Sequence, residues 1–226
     1  MDTFGQGLRT PRQEVLNEIG AILLNHDDSE LKKLVKVRGP LLVRARASFE
    51  ALAHDEALFL PAWQRYNGVV WKHLEPATLS TPQRQSILVP SGLFGVTTAN
   101  DDVADYRLKM DVVLRRLGLL NRFWRPWLSS EISSFVGDGI VVDLLPKEHT
   151  AAISLTQMKD VGEVVHARFL DLSGERAVGH DAKAVKGIIA RLVLSEGLSS
   201  VASVRWRGWR VRVRKGEIEA RAPRRT

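Results

Sequence analysis

The sequence lacks several features that would each point to a class of protein. It contains no cysteine, which excludes disulfide bridges and thiolate metal ligands. Its six histidines show no HExxH or similar close spacing, so we expect no metal site. No apolar run approaches the roughly 20 residues that span a bilayer, and residues 1–13 lack the apolar stretch of a signal peptide. We therefore expect a cytoplasmic protein without a membrane partner.

Common motifs of nucleotide and hydrolase chemistry are missing as well. The sequence has neither GxGxxG nor GxxxxGK(S/T), so it supports neither a dinucleotide cofactor nor a P-loop, and we expect no cofactor. It also has no GxSxG elbow, which leaves a hydrolase triad through Ser91 without support. Whether the protein is an enzyme therefore stays open on the residues alone.

The length and composition suit a globular protein of one large domain or two small ones. Of the 226 residues, 44% are hydrophobic and 26% are charged, which is ordinary for a folded chain. We predict a single domain over residues 1–226, with a mainly helical part at 1–80 and a mixed α/β part at 81–226. Four segments of the first part have helical spacing of apolar residues: Pro11–Asn25, Ser29–Val35, Leu41–Ala53, and Pro61–Leu74 with a break at Asn67-Gly68.

The second part mixes strands with helices. Strands are predicted at Ile87–Val89 and Ile140–Leu145, and helices at Pro126–Phe135 and Lys183–Ser195. The dense β-branched run from Ile140 is typical of a central strand. Ser173-Gly174 and Lys215-Gly216 indicate two hairpin turns. The order indicates an α+β fold, in which a helical N-terminal part is followed by a mixed sheet with helices and a C-terminal basic hairpin.

The net charge of +7 is concentrated at the end of the chain. Residues 205–226 hold eight arginines and one lysine against Glu217 and Glu219, whereas the charges of the remaining residues balance. One interpretation is a nucleic-acid partner, because neutralisation of phosphates drives non-specific binding. The other is a solvated sheet edge, which arginine and lysine protect from pairing with another chain.

A first group of candidate site residues follows the strand at Ile87–Val89. At Ser91-Gly92 the backbone amides can approach a phosphate or carboxylate closely, and a tight turn with nothing bound is the alternative. Tyr106-Arg107 interrupts an apolar stretch. An arginine there either grips an anion or forms a structural pair with Asp102, Asp105 or Asp111.

Trp124-Arg125 combines an aromatic ring with a cation, which suits the stacking of a base. A core tryptophan ahead of a helix that starts at Pro126 fits the same residues. Both interpretations stay open.

A second group lies on the helix predicted near residue 183. Lys183 and Lys186 are three residues apart near its N-terminus, and Arg191 follows further round the helix. Cations at a helix start favour an anion such as phosphate, although a solvated charged face is the usual alternative. His180 precedes the helix and could act as a general base, an anion contact, or a cap.

Five short segments occur in a characteristic order. Together they resemble the YaaA family of bacterial peroxide-stress proteins, over roughly residues 65–198. The segments are Ile87–Val96, Asp105–Met110, Asn121–Pro126, Val141–Leu144 and Ala182–Val193. The family also has Tyr-Arg-Leu at the position of Tyr106 and Lys-x-x-(Arg/Lys)-Gly at that of Lys183, which favours functional roles there.

The resemblance implies a cytosolic peroxide-stress protein that binds DNA through a positively charged cleft. An enzyme acting on a nucleotide or another phosphate-bearing metabolite in the same cleft is the alternative. The resemblance has two departures. Family members usually begin with an apolar strand that ends in a Pro-Ser/Ala-x-Lys-type motif, whereas this chain begins MDTFGQGLRTPR. The arginine-rich hairpin from Arg205 also has no clear counterpart, so we expect a divergent member.

Overall fold

Helices dominate the first part of the chain, as the periodicity predicts. The computed structural model describes residues 2–24, 28–154, 158 and 161–223. Its α-helices are α1 Gly5–Leu23, α2 Ser29–Val35, α3 Pro40–Ala53, α4 Ala62–Arg65, α5 Val69–Leu74, α6 Thr81–Gln85, α7 Leu120–Val136, α8 Lys147–Thr150 and α9 His180–Glu196. Among the residues that the structure describes, 3-10 helices cover Pro76–Thr78 and Leu198–Ser203.

The strands follow mainly from residue 88 onward. They are β1 Leu60–Pro61, β2 Leu88–Ser91, β3 Gly95–Thr98, β4 Asp102–Val103, β5 Val113–Leu114, β6 Gly118–Leu119, β7 Ile140–Asp143, β8 Glu163–Leu170, β9 Arg205–Trp206, β10 Trp209–Arg214 and β11 Glu217–Arg221. Short antiparallel pairs join β1 with β4, β2 with β3, and β5 with β6. A mixed sheet has the order β7-β8-β11-β10-β9. The α+β prediction is confirmed.

The chain divides into two compact units. Unit 1 comprises residues 1–65, 87–135 and 145–159, and unit 2 comprises residues 66–86, 136–144 and 160–226. Each unit takes segments from both sides of residue 80, so the division does not follow the predicted boundary there. The prediction of one domain over 1–226 is not tested by this division.

Unit 2 is built on the mixed sheet. The inner sheet face contributes Val165, Val211 and Ile218 to a buried cluster, and α9 contributes Val185 and Ile189. Helix α5 packs closely on α9 at Gly187, because a Cβ there would lie 2.3 Å from the Val70 carbonyl oxygen. A larger residue at that position would force the two helices apart.

Three local predictions from the sequence were wrong in detail. The helix predicted from Pro126 begins at Leu120 and carries Pro126 in its second turn. The run from Ile140 forms an edge of the sheet among the described strands and is not central, and Ile140 is 56% exposed. The Ser173-Gly174 turn does not join two full strands, since only an isolated bridge links Leu170 with Arg176.

The N-terminal helices agree more closely with the predictions. Helix α1 starts six residues before Pro11, and the predicted last residue, Asn25, lies outside the described residues. The break at Asn67-Gly68 separates α4 from α5, as predicted. The Lys215-Gly216 turn joins β10 to β11 in an antiparallel hairpin.

Candidate nucleic-acid interface

The candidate site residues are distributed over both units. Six of them lie in unit 1: Ser91, Gly92, Tyr106, Arg107, Trp124 and Arg125. The other four lie in unit 2: His180, Lys183, Lys186 and Arg191.

Ser91 closes the turn between β2 and β3 with its own side chain. Its hydroxyl oxygen accepts hydrogen bonds from the backbone N–H groups of Leu93 at 3.2 Å and Phe94 at 2.9 Å. The same oxygen lies 2.7 Å from the Tyr106 hydroxyl. Because a serine hydroxyl has two lone pairs and one proton, two accepted bonds leave Ser91 to donate to Tyr106. Ser91 is 1% exposed. This favours the interpretation as a structural turn.

Gly92 and Trp124 form a buried contact in the same unit. A Cβ on Gly92 would lie 2.6 Å from the Leu108 carbonyl oxygen, so this position has no room for a side chain. The Trp124 indole N–H donates to the Gly92 carbonyl at 2.9 Å, and the Trp124 side chain is completely buried. The stacking role considered for Trp124 is therefore corrected to a core role, because no face of the ring reaches solvent.

Arg107 lies on the surface and not in a buried pair. Two of the aspartates considered as its partners bind other cations. Asp105 pairs with Arg44 at 2.8 Å and Asp111 with Lys36 at 3.2 Å. Within the described part of the chain, Arg107 has no ion pair, and its side chain is exposed. The Arg107 side chain is therefore accessible to solvent.

Arg125 has a structural partner. Its Nε and Nη2 groups donate to the Ala151 carbonyl at 2.9 and 2.6 Å, just after the end of α8. Helix ends leave carbonyl groups without intrahelical partners, and an arginine can satisfy them. The fork of Arg125 thus anchors the α8 segment within unit 1.

The candidates on α9 separate into an exposed pair and an engaged pair. His180 and Lys183 are exposed in the first turn of the helix. The Lys186 ammonium donates to the Leu144 carbonyl at 2.7 Å and lies 5.0 Å from the centre of the Phe169 ring. Arg191 forms an ion pair with Glu75. Of the predicted cluster, His180 and Lys183 therefore present the more accessible surface.

A basic surface that the sequence reasoning missed lies beside α2 in unit 1. An open depression of about 660 Å³ is lined by Lys32, Lys33, Lys36 and Arg38, and by one carboxylate, Asp28. We call this surface the basic depression. Asp28 binds Arg46 and Lys36 binds Asp111, whereas Lys32, Lys33 and Arg38 are exposed. The sequence signal was available as four cations within seven residues.

The outer face of the unit 2 sheet carries a second concentration of charge. Along β10, exposed arginines alternate with side chains that point to the buried side of the sheet. The exposed residues are Arg210, Arg212 and Arg214. Arg205 of β9 and Arg221 of β11 both pair in register with Arg210. We call these residues, Arg205, Arg210, Arg212, Arg214 and Arg221, the arginine face.

Two carboxylates lie among these arginines. Glu219 binds Arg221 at 2.7 Å, and Glu217 binds Arg168 at 3.0 Å. The Arg221 hydrogen bond lowers the pKa of Glu219, and the charges of Arg214 and Arg168 add to that effect. Each of the two carboxylates is therefore already bound to an arginine that does not lie on β10.

Comparison with known proteins places the chain in a family. The sequence profile described as "Peroxide stress protein YaaA" matches residues 6–212. The chain belongs to this family. A UPF0246 protein of Streptomyces coelicolor is 30% identical over 231 residues, covering 96% of this chain and 83% of the relative. A UPF0246 protein of a Ruegeria species is 26% identical, covering 98% and 91% respectively. One from Francisella tularensis is 23% identical, covering 86% and 80%.

Two further features concern membrane spans and metal-binding groups of this YaaA-family chain. No helix in the described ranges has both the length and the apolar character to cross a bilayer. Among the described residues, no group of three or more histidine, aspartate or glutamate side chains is arranged to hold a metal ion.

Proposed function

We propose that this member of a peroxide-stress family binds DNA in the cytoplasm through exposed cations. The observation that carries the proposal is the basic depression. Its one carboxylate, Asp28, is bound to Arg46, and of its four cations only Lys36 has an ion pair with another described residue, Asp111. Exposed cations without a carboxylate partner favour the binding of a polyanion, because its phosphates supply the negative charge that the surface lacks. The positively charged cleft expected from the family resemblance would include this depression.

The exposure of the candidates favours a long polyanion over a small enclosed substrate. Arg107, Lys183 and His180 are exposed, as are Lys32 and Lys33 of the basic depression. Enzyme sites for small metabolites usually bury most of the ligand among apolar and polar groups. Contacts of exposed cations to phosphates instead fix position and carry little sequence information. We therefore expect binding that depends weakly on base sequence.

A double variant tests this proposal directly. Lys32→Gln with Lys33→Gln removes two exposed charges from the basic depression, and Arg9→Gln with Arg122→Gln removes two exposed charges elsewhere in unit 1. Binding to a fluorescent 30-base-pair duplex is measured by anisotropy over a range of salt concentrations. The slope of log K against log salt is negative, and its magnitude should decrease by about 1.8 for the first variant, because each lost phosphate contact removes about 0.9.

The control pair should leave that slope close to the wild-type value. If the slope decreases equally in both variants, the effect is one of net charge, and DNA binding is no longer assigned to the basic depression. Undetectable binding of the wild type to single- and double-stranded DNA at low salt would reject the proposal altogether.

An enzyme acting on a nucleotide or phosphate-bearing metabolite is the second candidate. The volume of the basic depression, about 660 Å³, falls within the range of small-ligand sites. A thermal-shift panel of nucleotides and sugar phosphates tests this candidate, with Lys32→Gln/Lys33→Gln as the control. Stabilisation of the wild type by one compound, lost in the variant, would favour it. The buried and internally bonded Ser91 gives it no nucleophile.

A further inference from the structure

The arginine face of unit 2 is separate in the chain from the basic depression of unit 1. It lies on β9, β10 and β11, and the family match ends at residue 212, before Arg214 and Arg221. Arg205, Arg210 and Arg212 lie within that match. Their arrangement requires its own explanation.

We propose that the arginine face is a second, sequence-independent contact surface for the phosphodiester backbone of double-stranded DNA. This inference rests on the proposed function, because it adds a surface to a DNA-binding protein. It goes beyond that function by assigning the contact to the sheet of unit 2 and by limiting it to the backbone.

The pairing register places like charges opposite one another. Arg210 lies between Arg205 on one side and Arg221 on the other. Like charges at directly opposed positions destabilise a sheet, and only Arg221 of these three binds a carboxylate among the described residues. A bound phosphate between these strands would remove the repulsion.

The two neighbouring carboxylates form their ion pairs with arginines outside β10. Arg212 lies opposite Glu219 and Arg214 lies opposite Glu217 in the register. Glu219 instead binds Arg221, and Glu217 binds Arg168. The guanidinium groups of Arg210, Arg212 and Arg214 are exposed and have no ion pair in the described ranges. They are available to an external anion.

The chemistry of the face indicates backbone contact and not base stacking. Its aromatic neighbours point the other way, since Trp209 is 3% exposed and Trp206 packs against the buried cluster. Stacking of single-stranded bases requires exposed rings. Alternate residues of a strand lie about 6.8 Å apart, so the three β10 arginines span about 14 Å. Measured along the helix axis of a duplex, where each strand carries one phosphate about every 3.4 Å, that length corresponds to about four phosphates.

Protection of a sheet edge explains less of the pattern. Strand β9 pairs only with Trp209 and Arg210, so the second half of β10 is an edge among the described strands. A charge on an edge strand hinders pairing with another chain. This accounts for a cation at Arg212 or Arg214. It does not account for Arg210, which is paired with β9 on one side and β11 on the other and so does not lie at an edge.

The test uses the full-length protein and the same fluorescent duplex. The face variant carries Arg210→Gln, Arg212→Gln and Arg214→Gln. The matched control carries Arg9→Gln, Arg115→Gln and Arg122→Gln, which removes the same charge from exposed positions of unit 1. The slope of log K against log salt should fall by about 2.7 in the face variant. A third variant with lysine at the three β10 positions should keep the wild-type slope.

The outcomes separate this inference from the proposed function. If the wild type binds DNA, the depression variant loses affinity and the face variant binds like the wild type, the inference is overturned and the proposed function stands. An equal loss in the face variant and the matched control also overturns it. If the wild type does not bind DNA, both the proposed function and this inference are rejected.

Two further arms complete the design. If the triple variant aggregates, each single Arg→Gln substitution on β10 replaces it, with an expected slope change of about 0.9; three unchanged slopes overturn the inference. Vesicles of phosphatidylserine and phosphatidylcholine distinguish a lipid headgroup from the nucleic-acid backbone. Binding to these vesicles that depends on the arginine face, without a face effect on DNA, would overturn it too.

Discussion

Replacement of Trp124 by phenylalanine separates a core role from a surface role for this residue. The indole N–H donates to the Gly92 carbonyl at 2.9 Å in a fully buried environment. Phenylalanine cannot donate, so the carbonyl loses its partner, at a cost of about 1–3 kcal/mol. The smaller ring also leaves unfilled volume, which adds to the loss. We expect the free energy of unfolding to fall by about 2–4 kcal/mol in total.

Trp127→Phe is the matched control, because Trp127 lies on the same helix and is 40% exposed. Its substitution should change the free energy of unfolding by about 1 kcal/mol or less. Urea unfolding followed by circular dichroism measures both variants. A folded Trp124→Phe protein should bind duplex DNA as the wild type does. Equal stability of the two variants, or a selective loss of DNA affinity in folded Trp124→Phe, would refute the core assignment.

Three further expectations concern charged residues. Arg107→Ala should leave the melting temperature nearly unchanged, because the side chain is exposed, and should lower the DNA salt slope by about 0.9 if the arginine contacts a phosphate; anisotropy titrations check this. Arg116→Ala should destabilise the protein by about 1–3 kcal/mol in urea unfolding, because Glu18 is buried beside it, whereas the adjacent Arg115→Ala should have little effect. The Ser173 hydroxyl, which donates to Asp171, holds the pKa of that carboxyl below its ordinary value of 3.8, with help from backbone N–H groups. The stabilisation by Asp171 is therefore present above about pH 3.8 and lost as the pH falls through the lower folded pKa, so the difference in melting temperature between wild type and Asp171→Ala should narrow at acidic pH.

The pattern of apolar residues predicted most element types and several boundaries. Helix α3 and the hairpin of β10 and β11 appear close to where the sequence placed them. Periodicity succeeds there because the same residues that repeat at 3.6 or 2 positions are the ones buried in the fold. It could not distinguish an edge from a central strand at Ile140. A dense apolar run is typical of strands in parallel pairs, and β7 is parallel to β8 although it lies at the edge of the described sheet.

The candidate site was predicted less completely. The sequence identified Arg107 and Lys183 as cations of interest, and both are exposed. It could not show that Lys186 donates to Leu144 or that Arg191 pairs with Glu75, because these partners lie 42 and 116 residues away. The basic depression was missed because the sequence predicted only a short helix at Ser29–Val35 and did not show that Lys32, Lys33, Lys36 and Arg38 line one surface.

The sequence by itself determined the helical and strand segments, the concentration of arginine near the C-terminus, and the family. These properties depend on the order of residues that are close together in the sequence. Only the tertiary structure decided that Trp124 is a core residue, that Ser91 closes its own turn, and that the β10 arginines lack carboxylate partners in the described ranges. The physical reason is that burial and ion pairing depend on which distant segments meet. An arginine beside an available carboxylate forms a structural ion pair. Where that carboxylate is already bound elsewhere, the arginine remains accessible to an external anion.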